Sequence, residues 1–157
     1  MGPMGAIVFL PREGDTPSLM LEHILFDPAA AWLSAALERS GVERFLVVCH
    51  DDDRERAGEC FPAGTEFVTD GAEDAAGQLT AFLSAVEGNV AVFTRPVFLD
   101  DQGARRLAGE EELPRGEDTG VYRISAAALK EAMEGGEDFV SAVRTGSHFG
   151  MKTGRYE

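Results

Sequence analysis

The chain reads as a three-layer α/β/α sandwich around a mainly parallel, mixed sheet, and three observations carry that reading. Short apolar runs alternate with helix-period segments along almost the whole sequence, the pattern of right-handed βαβ crossovers. One run, Phe45-Leu46-Val47-Val48-Cys49, is apolar at every position, as a strand covered on both faces requires. Capping residues punctuate the pattern, with Asp27-Pro28 and Ser125 ahead of helices and Gly41, Gly88 and Gly135-Gly136 behind them. With 157 residues, 44% of them apolar and 27% charged, the sequence is expected to form a single domain with a sizeable core.

Ala6-Ile7-Val8-Phe9-Leu10 is the first strand. The apolar stretch Ser18–Phe26 has no clear period. Asp27-Pro28 predicts an N-cap with proline at the first helical position, and the helix Ala29–Ser40 puts Trp32, Leu33, Ala36 and Leu37 on one face. After the Phe45–Cys49 strand comes a His50–Asp53 loop, then a short helix over Arg54–Glu59 that Phe61–Gly64 breaks. Thr65–Thr69 is a third strand, and the helix from about Asp74 to Glu87 spaces Leu79, Phe82, Leu83 and Val86 along one face. Val90–Phe93 is a fourth strand. Asp100–Gly103 caps a short helix through Leu107, and Glu110–Gly116 is an exposed loop. Thr119–Ile124 is a fifth strand, Ser125 caps a helix over Ala126–Glu134, and a last helix spans Asp138–Arg144. The polar, Gly-rich tail from about residue 146 is expected to be loosely ordered.

The balance of 28 acidic against 14 basic residues, a net charge of −14, repels polyanions, so neither nucleic acid nor anionic membrane is an expected partner. A nucleotide remains compatible, because a local nest of amides or a few arginines overrides the global sign. No apolar run approaches the ~18–20 residues of a membrane-spanning helix, and the first residues lack a secretory pattern. Two cysteines make no disulfide framework. Cys49 reads as a buried thiol, with redox chemistry as the alternative, and the expected compartment is a reducing cytoplasm.

Cys49, Cys60, His23, His50 and His148 show no zinc spacing. His50 with Asp51-Asp52-Asp53 reads as a solvated acidic loop rather than a metal cluster, since neighbouring side chains splay apart. Phe61, Phe98 and Phe149, close to loops, would suit an exposed apolar surface. The most informative stretch is the strand Ala6–Leu10 running into Pro11-Arg12-Glu13-Gly14-Asp15-Thr16-Pro17. A polar Gly/Pro loop behind the first strand of an α/β chain is a common seat for nucleotide phosphates, because its amides can point at anions. That makes Leu10, Pro11, Arg12 and Gly14 candidate nucleotide-binding residues.

Several segments resemble the sugar-1-phosphate nucleotidyltransferases, in particular the uridylyltransferase half of the bifunctional UDP-N-acetylglucosamine pyrophosphorylases. Gly41-Val42-Glu43-Arg44-Phe45-Leu46-Val47-Val48-Cys49-His50 is similar to that family's G-A-E-R-x-x-V-V-x-x-H segment. Gly88–Phe93 matches its fourth strand, and Asp118-Thr119-Gly120-Val121-Tyr122 its N-T-G-I-Y. The resemblance implies a Rossmann-like nucleotidyltransferase fold with an antiparallel strand near Thr119–Ile124. It also implies nucleotide contacts from Gly77 and Gln78, sugar contacts from Asp118, Thr119 and Gly120, and Mg²⁺ as the cofactor if the protein is active.

The family's chemical positions are largely replaced here. In the G-x-G-T-R loop only Gly14 persists, with Arg12 at the first glycine and Asp15-Thr16 at the Thr-Arg pair. The P-K pair falls at Glu22-His23, and the G-D pair whose aspartate holds Mg²⁺ falls at Arg95-Pro96. His23 is either a ligand-facing remnant of that lysine or a wet surface residue. The stretch between the metal position and N-T-G is also much shorter than in the family, which implies a reduced sugar-binding lobe. Nucleotidyl transfer joins two anions, so its catalysis is chiefly charge neutralisation, and losing one such group costs ~10²–10³ in rate.

The expected function is therefore a pyrophosphorylase-related domain with impaired catalysis that senses a nucleotide or sugar nucleotide, or serves in regulation or assembly. It could act as a homo-oligomer or with a trimeric left-handed β-helix partner. The alternative is an active, Mg²⁺-dependent uridylyltransferase with a rearranged site, using Arg12 and Arg95 for phosphate and Asp100, Asp101 or Asp118 for metal. Asp100 and Asp101 read first as helix caps, a position that Asp favours, and only second as metal ligands.

Overall fold

The computed structural model describes residues 4–10, 23–24, 27–62, 64–69, 74–86, 88–94, 105, 117–137, 139–143 and 147–151. Its centre is a six-stranded sheet. β1 (Met4–Leu10) pairs in parallel with β4 (Val42–Cys49) on one side and β6 (Asn89–Phe93) on the other, and β5 (Glu66–Thr69) extends the parallel set beyond β4. β7 (Glu117–Ser125) runs antiparallel to β6, and β8 (Ser147–Met151) antiparallel to β7, giving the order β5-β4-β1-β6-β7-β8. A separate two-stranded pair joins β2 (His23–Ile24) to β3 (Asp27–Pro28).

Alternation along the strands sends side chains into two layers. From β1, β4 and β6, the residues Ala6, Val8, Phe45, Val47, Cys49, Ala91 and Phe93 face one core. It is covered by α1 (Ala29–Arg39) and α2 (Arg54–Gly58). Ile7, Leu46, Val48, Val90 and Val92 face the other, covered by α3 (Ala75–Ala85), α4 (Ala126–Glu134) and α5 (Phe139–Val143). That is the α/β/α sandwich expected from the apolar runs. Leu33 and Leu37 of α1 are fully buried, worth about 1.5–3 kcal/mol each by apolar transfer. Ser125 caps α4 as the sequence predicts, its hydroxyl accepting the Ala128 amide at 3.4 Å.

Three expectations need correcting. Asp27 and Pro28 do not open α1; they pair with His23 and Ile24, and the helix starts at Ala29. A proline suits the first helical position, but here the pairing holds the dipeptide extended. The tail is not uniformly loose, because Ser147–Met151 adds a strand alongside β7. Phe61 is buried, tilted against Phe45 with ring centroids 5.9 Å apart, so it contributes no exposed apolar surface. No described helix is long and apolar enough to cross a membrane.

Candidate functional site

Chain order and sheet order together create one crevice. From β1 the chain crosses to β4 and then β5 on one side, and it returns to β6 on the other. In open parallel sheets such a reversal leaves a cleft at the carboxyl ends of the two central strands, here Leu10 of β1 and Phe93 of β6. The cleft's first wall is the end of β1, where Leu10 is 2% exposed and belongs to the α1-side core. Leu10 therefore reaches the crevice through its backbone. Pro11, Arg12 and Gly14 lie outside the described residues, as do Arg95, Asp100 and Asp101.

β7 makes the second wall. It enters the sheet at this same edge because it runs against β6, with Val121 opposite Phe93. One residue further out, the Thr94 amide and hydroxyl both donate to the Gly120 carbonyl, at 2.8 and 2.7 Å. Gly120 has φ +81°, a left-handed conformation that costs a residue with a Cβ about 1–2 kcal/mol. Beside it β7 carries an irregularity. Between the pairs Asp118↔Gly150 and Tyr122↔His148 it advances four residues while β8 covers two. Asp118, Thr119 and Gly120 thus stand at the carboxyl edge, two strands across from β1, or about 10 Å at ordinary strand spacing.

Gly77 and Gln78 sit at the start of α3, both exposed. Because β5 ends at the carboxyl edge, α3 begins there too. A Cβ on Gly77 would meet nothing within 4 Å, so that glycine is not needed for close packing. The structure thus gathers Leu10, Gly77-Gln78 and Asp118–Gly120 along one edge of the sheet, on three different elements.

The loop after β4 also opens at this edge, and the acidic reading of it holds only in part. His50 caps the short 3₁₀ turn Asp51–Asp53, its Nδ1 accepting the Asp52 amide at 3.1 Å, with the Asp52 carboxylate 3.6 Å away. Asp51 and Asp52 are exposed, but Asp53 is only 1% exposed and is partnered within the protein. Sequence reasoning missed this buried carboxylate, since a third Asp in a row gives no sign that the following α2 folds it inward. No group of three or more metal-ligating side chains converges among the described residues. Cys49 and Cys60 are buried thiols in the same core.

A cavity of about 340 Å³ opens at the opposite, amino edge, between the starts of β4 and β5. Glu43, Arg44, Thr65 and Glu66 rim it above Phe45 and Phe82. Size alone would nominate it, but it is remote from the strand ends at which open α/β sheets bind ligands. The carboxyl-edge crevice is the better candidate.

No protein-family model matches the sequence, and no curated protein does. Solved structures do resemble the fold. A nucleotidyl transferase from Methanothermobacter thermautotroptrophicus superposes with a TM-score of 0.61 at 14% identity, over 96% of this chain and 88% of that one. The inositol-1-phosphate CTP transferase from T. maritima gives 0.60 at 14%, over 96% and 85%. A 4-diphosphocytidyl-2C-methyl-D-erythritol synthase gives 0.55 at 16%, over 92% and 85%. At identities this low the superpositions establish the fold alone, which is nucleotidyltransferase-like and Rossmann-like.

Proposed function

We propose that this protein binds a pyrimidine nucleotide or sugar nucleotide in the carboxyl-edge crevice, as a pyrophosphorylase-related sensing, regulatory or assembly domain with impaired transfer chemistry. The observation that carries the reading is β7. A strand antiparallel to β6 at the switch point sets this sheet apart from an all-parallel dinucleotide-binding or flavodoxin-like sheet, and it supplies a second wall to the cleft. The pyrimidine assignment has two supports. The sequence resembles a uridylyltransferase, and two of the similar folds are named for cytidylyl chemistry.

The impairment follows from charge. Bringing a sugar phosphate onto a nucleotide α-phosphorus needs metal, Lys and Arg to neutralise both anions. The sequence positions that would supply them hold Thr16, His23 and Pro96, and Asp15 adds a negative charge to the same loop. Binding is less demanding than transfer, since backbone amides and Arg12 can hold a phosphate without completing the reaction.

Calorimetric titration with UTP, CTP and UDP-N-acetylglucosamine, each with and without Mg²⁺, tests the reading. Dissociation constants in about the micromolar range that do not depend on metal are the expected result. Mg²⁺-dependent binding, followed by pyrophosphate release when N-acetylglucosamine 1-phosphate is added, would favour an active uridylyltransferase instead. No binding at millimolar ligand would refute both. Arg12→Gln should weaken UTP binding about tenfold if the first loop takes the phosphates, one charge-assisted hydrogen bond being worth that much.

A further inference from the structure

Gly120 is the meeting point of three separate irregularities. Its φ of +81° lies in the left-handed region, β7 slips register against β8 around it, and its carbonyl takes two hydrogen bonds from Thr94. A carbonyl has two acceptor positions, and Thr94 addresses this one with both its amide and its side chain. The amide bond merely continues the β6–β7 ladder by one residue. The hydroxyl bond is an addition that the ladder does not require, and it is short. Thr94 directly follows β6, so the bond ties the end of one crevice strand to β7, the second wall.

Buried side chains pin a strand's register, but where a strand pairs only with an edge strand a bulge has several ways to distribute its extra residues. Here the buried Val121 fixes one side of the irregularity. On the other side, among the described residues, the pairing of Glu117 and Asp118 with β8 holds it, and β8 is the edge strand. An added anchor at Gly120 selects one arrangement of that segment.

We infer that Thr94 is a positioning residue for the second wall of the crevice: its hydroxyl, by holding the Gly120 carbonyl, fixes the bulge that presents Asp118 and Thr119 at the carboxyl edge. Thr94 acts through that backbone rather than by touching ligand. The inference rests on the nucleotide-binding reading above for its functional consequence, but its structural half stands independently of any ligand.

The experiment compares Thr94→Val, which keeps the shape and the amide but removes the hydroxyl, with Thr94→Ser, which restores it. Amide hydrogen exchange over residues 117–122 is measured without ligand, and UDP-N-acetylglucosamine and UTP are then titrated. Faster exchange confined to that segment in Thr94→Val, return to parental protection in Thr94→Ser, and about tenfold weaker binding in the first variant alone are expected. A global rise in exchange would show a merely structural role and overturn the inference. So would unchanged exchange in Thr94→Val, or unchanged affinity beside altered exchange. Failure of the parental protein to bind either ligand would overturn the nucleotide reading, and with it the functional half of this inference. The exchange data would still decide the clamp.

Discussion

The two halves of the sheet are built on different terms. The parallel half, β5-β4-β1-β6, is covered on both faces, and its central strands contribute Ala6, Ile7, Leu46, Val47, Val90 and Val92, all fully buried. The antiparallel half, β7-β8, alternates more loosely. Val121 and Tyr122 are buried, Arg123 is half-buried and Ser125 is exposed, and the ladder is broken by a bulge. The first half supplies stability and the cleft's floor, in a form common to many α/β proteins. The second adds Val121, Tyr122 and Ile124 to the two cores and decides which kind of cleft it is. Most of the core and the identity of the cleft therefore reside in different strands, and substitutions should separate them.

Leu46→Ala should have the largest effect. It removes a fully buried side chain from the middle of β4, where helices on one face and strands on either side prevent collapse, and should cost about 2–5 kcal/mol in urea unfolding. Loss of less than a kcal/mol would mean that the parallel half is not the stabilising one. Gly5→Ala comes next, at about 1–3 kcal/mol. An added Cβ there would sit 2.8 Å from Val86 Cγ2 and 3.2 Å from Phe82 Cζ, and Phe82 is too buried to move aside.

In the antiparallel half, Gly120→Ala should cost about 1–2 kcal/mol from its positive φ, yet weaken nucleotide binding more than Leu46→Ala does at a temperature where both are folded. A ranking the other way round would erase the division between the halves. The smallest effect belongs to Ser125→Ala. Loss of a helix cap usually costs about 1 kcal/mol, and the 3.4 Å bond here places it at the lower end, about 0.5 kcal/mol, read as a small fall in the denaturation midpoint.

The same division governs what could be read before the fold was seen. Phe45–Cys49 announced a strand covered on both faces, and it is one. Leu33, Ala36 and Leu37 announced the buried stripe of α1, with Trp32 at its half-buried margin. Ser147–Met151 announced nothing. With Ser, His and Gly among its residues the segment lacks strand composition, and it becomes a strand because β7 offers an open edge. Asp53 misled for the related reason that burial of a charge is decided by what folds over it. At the crevice, Leu10 was legible from the loop behind the first strand, Gly77 and Gly120 only by resemblance to a motif, and their convergence on one edge was not legible at all.

Local order is set by short-range chemistry, and the sequence alone determined it here: the alternation of strands and helices, the caps at Ser125 and Gly41, and the acidic surface that disfavours polyanions. The reversed direction of β7 was expected only through the family resemblance, and strand order and the capture of the Gly120 carbonyl by Thr94 were decided only by tertiary structure. Those features depend on which distant edges meet, on register and on a backbone angle permitted to glycine, and none of these is a property of any short stretch of chain.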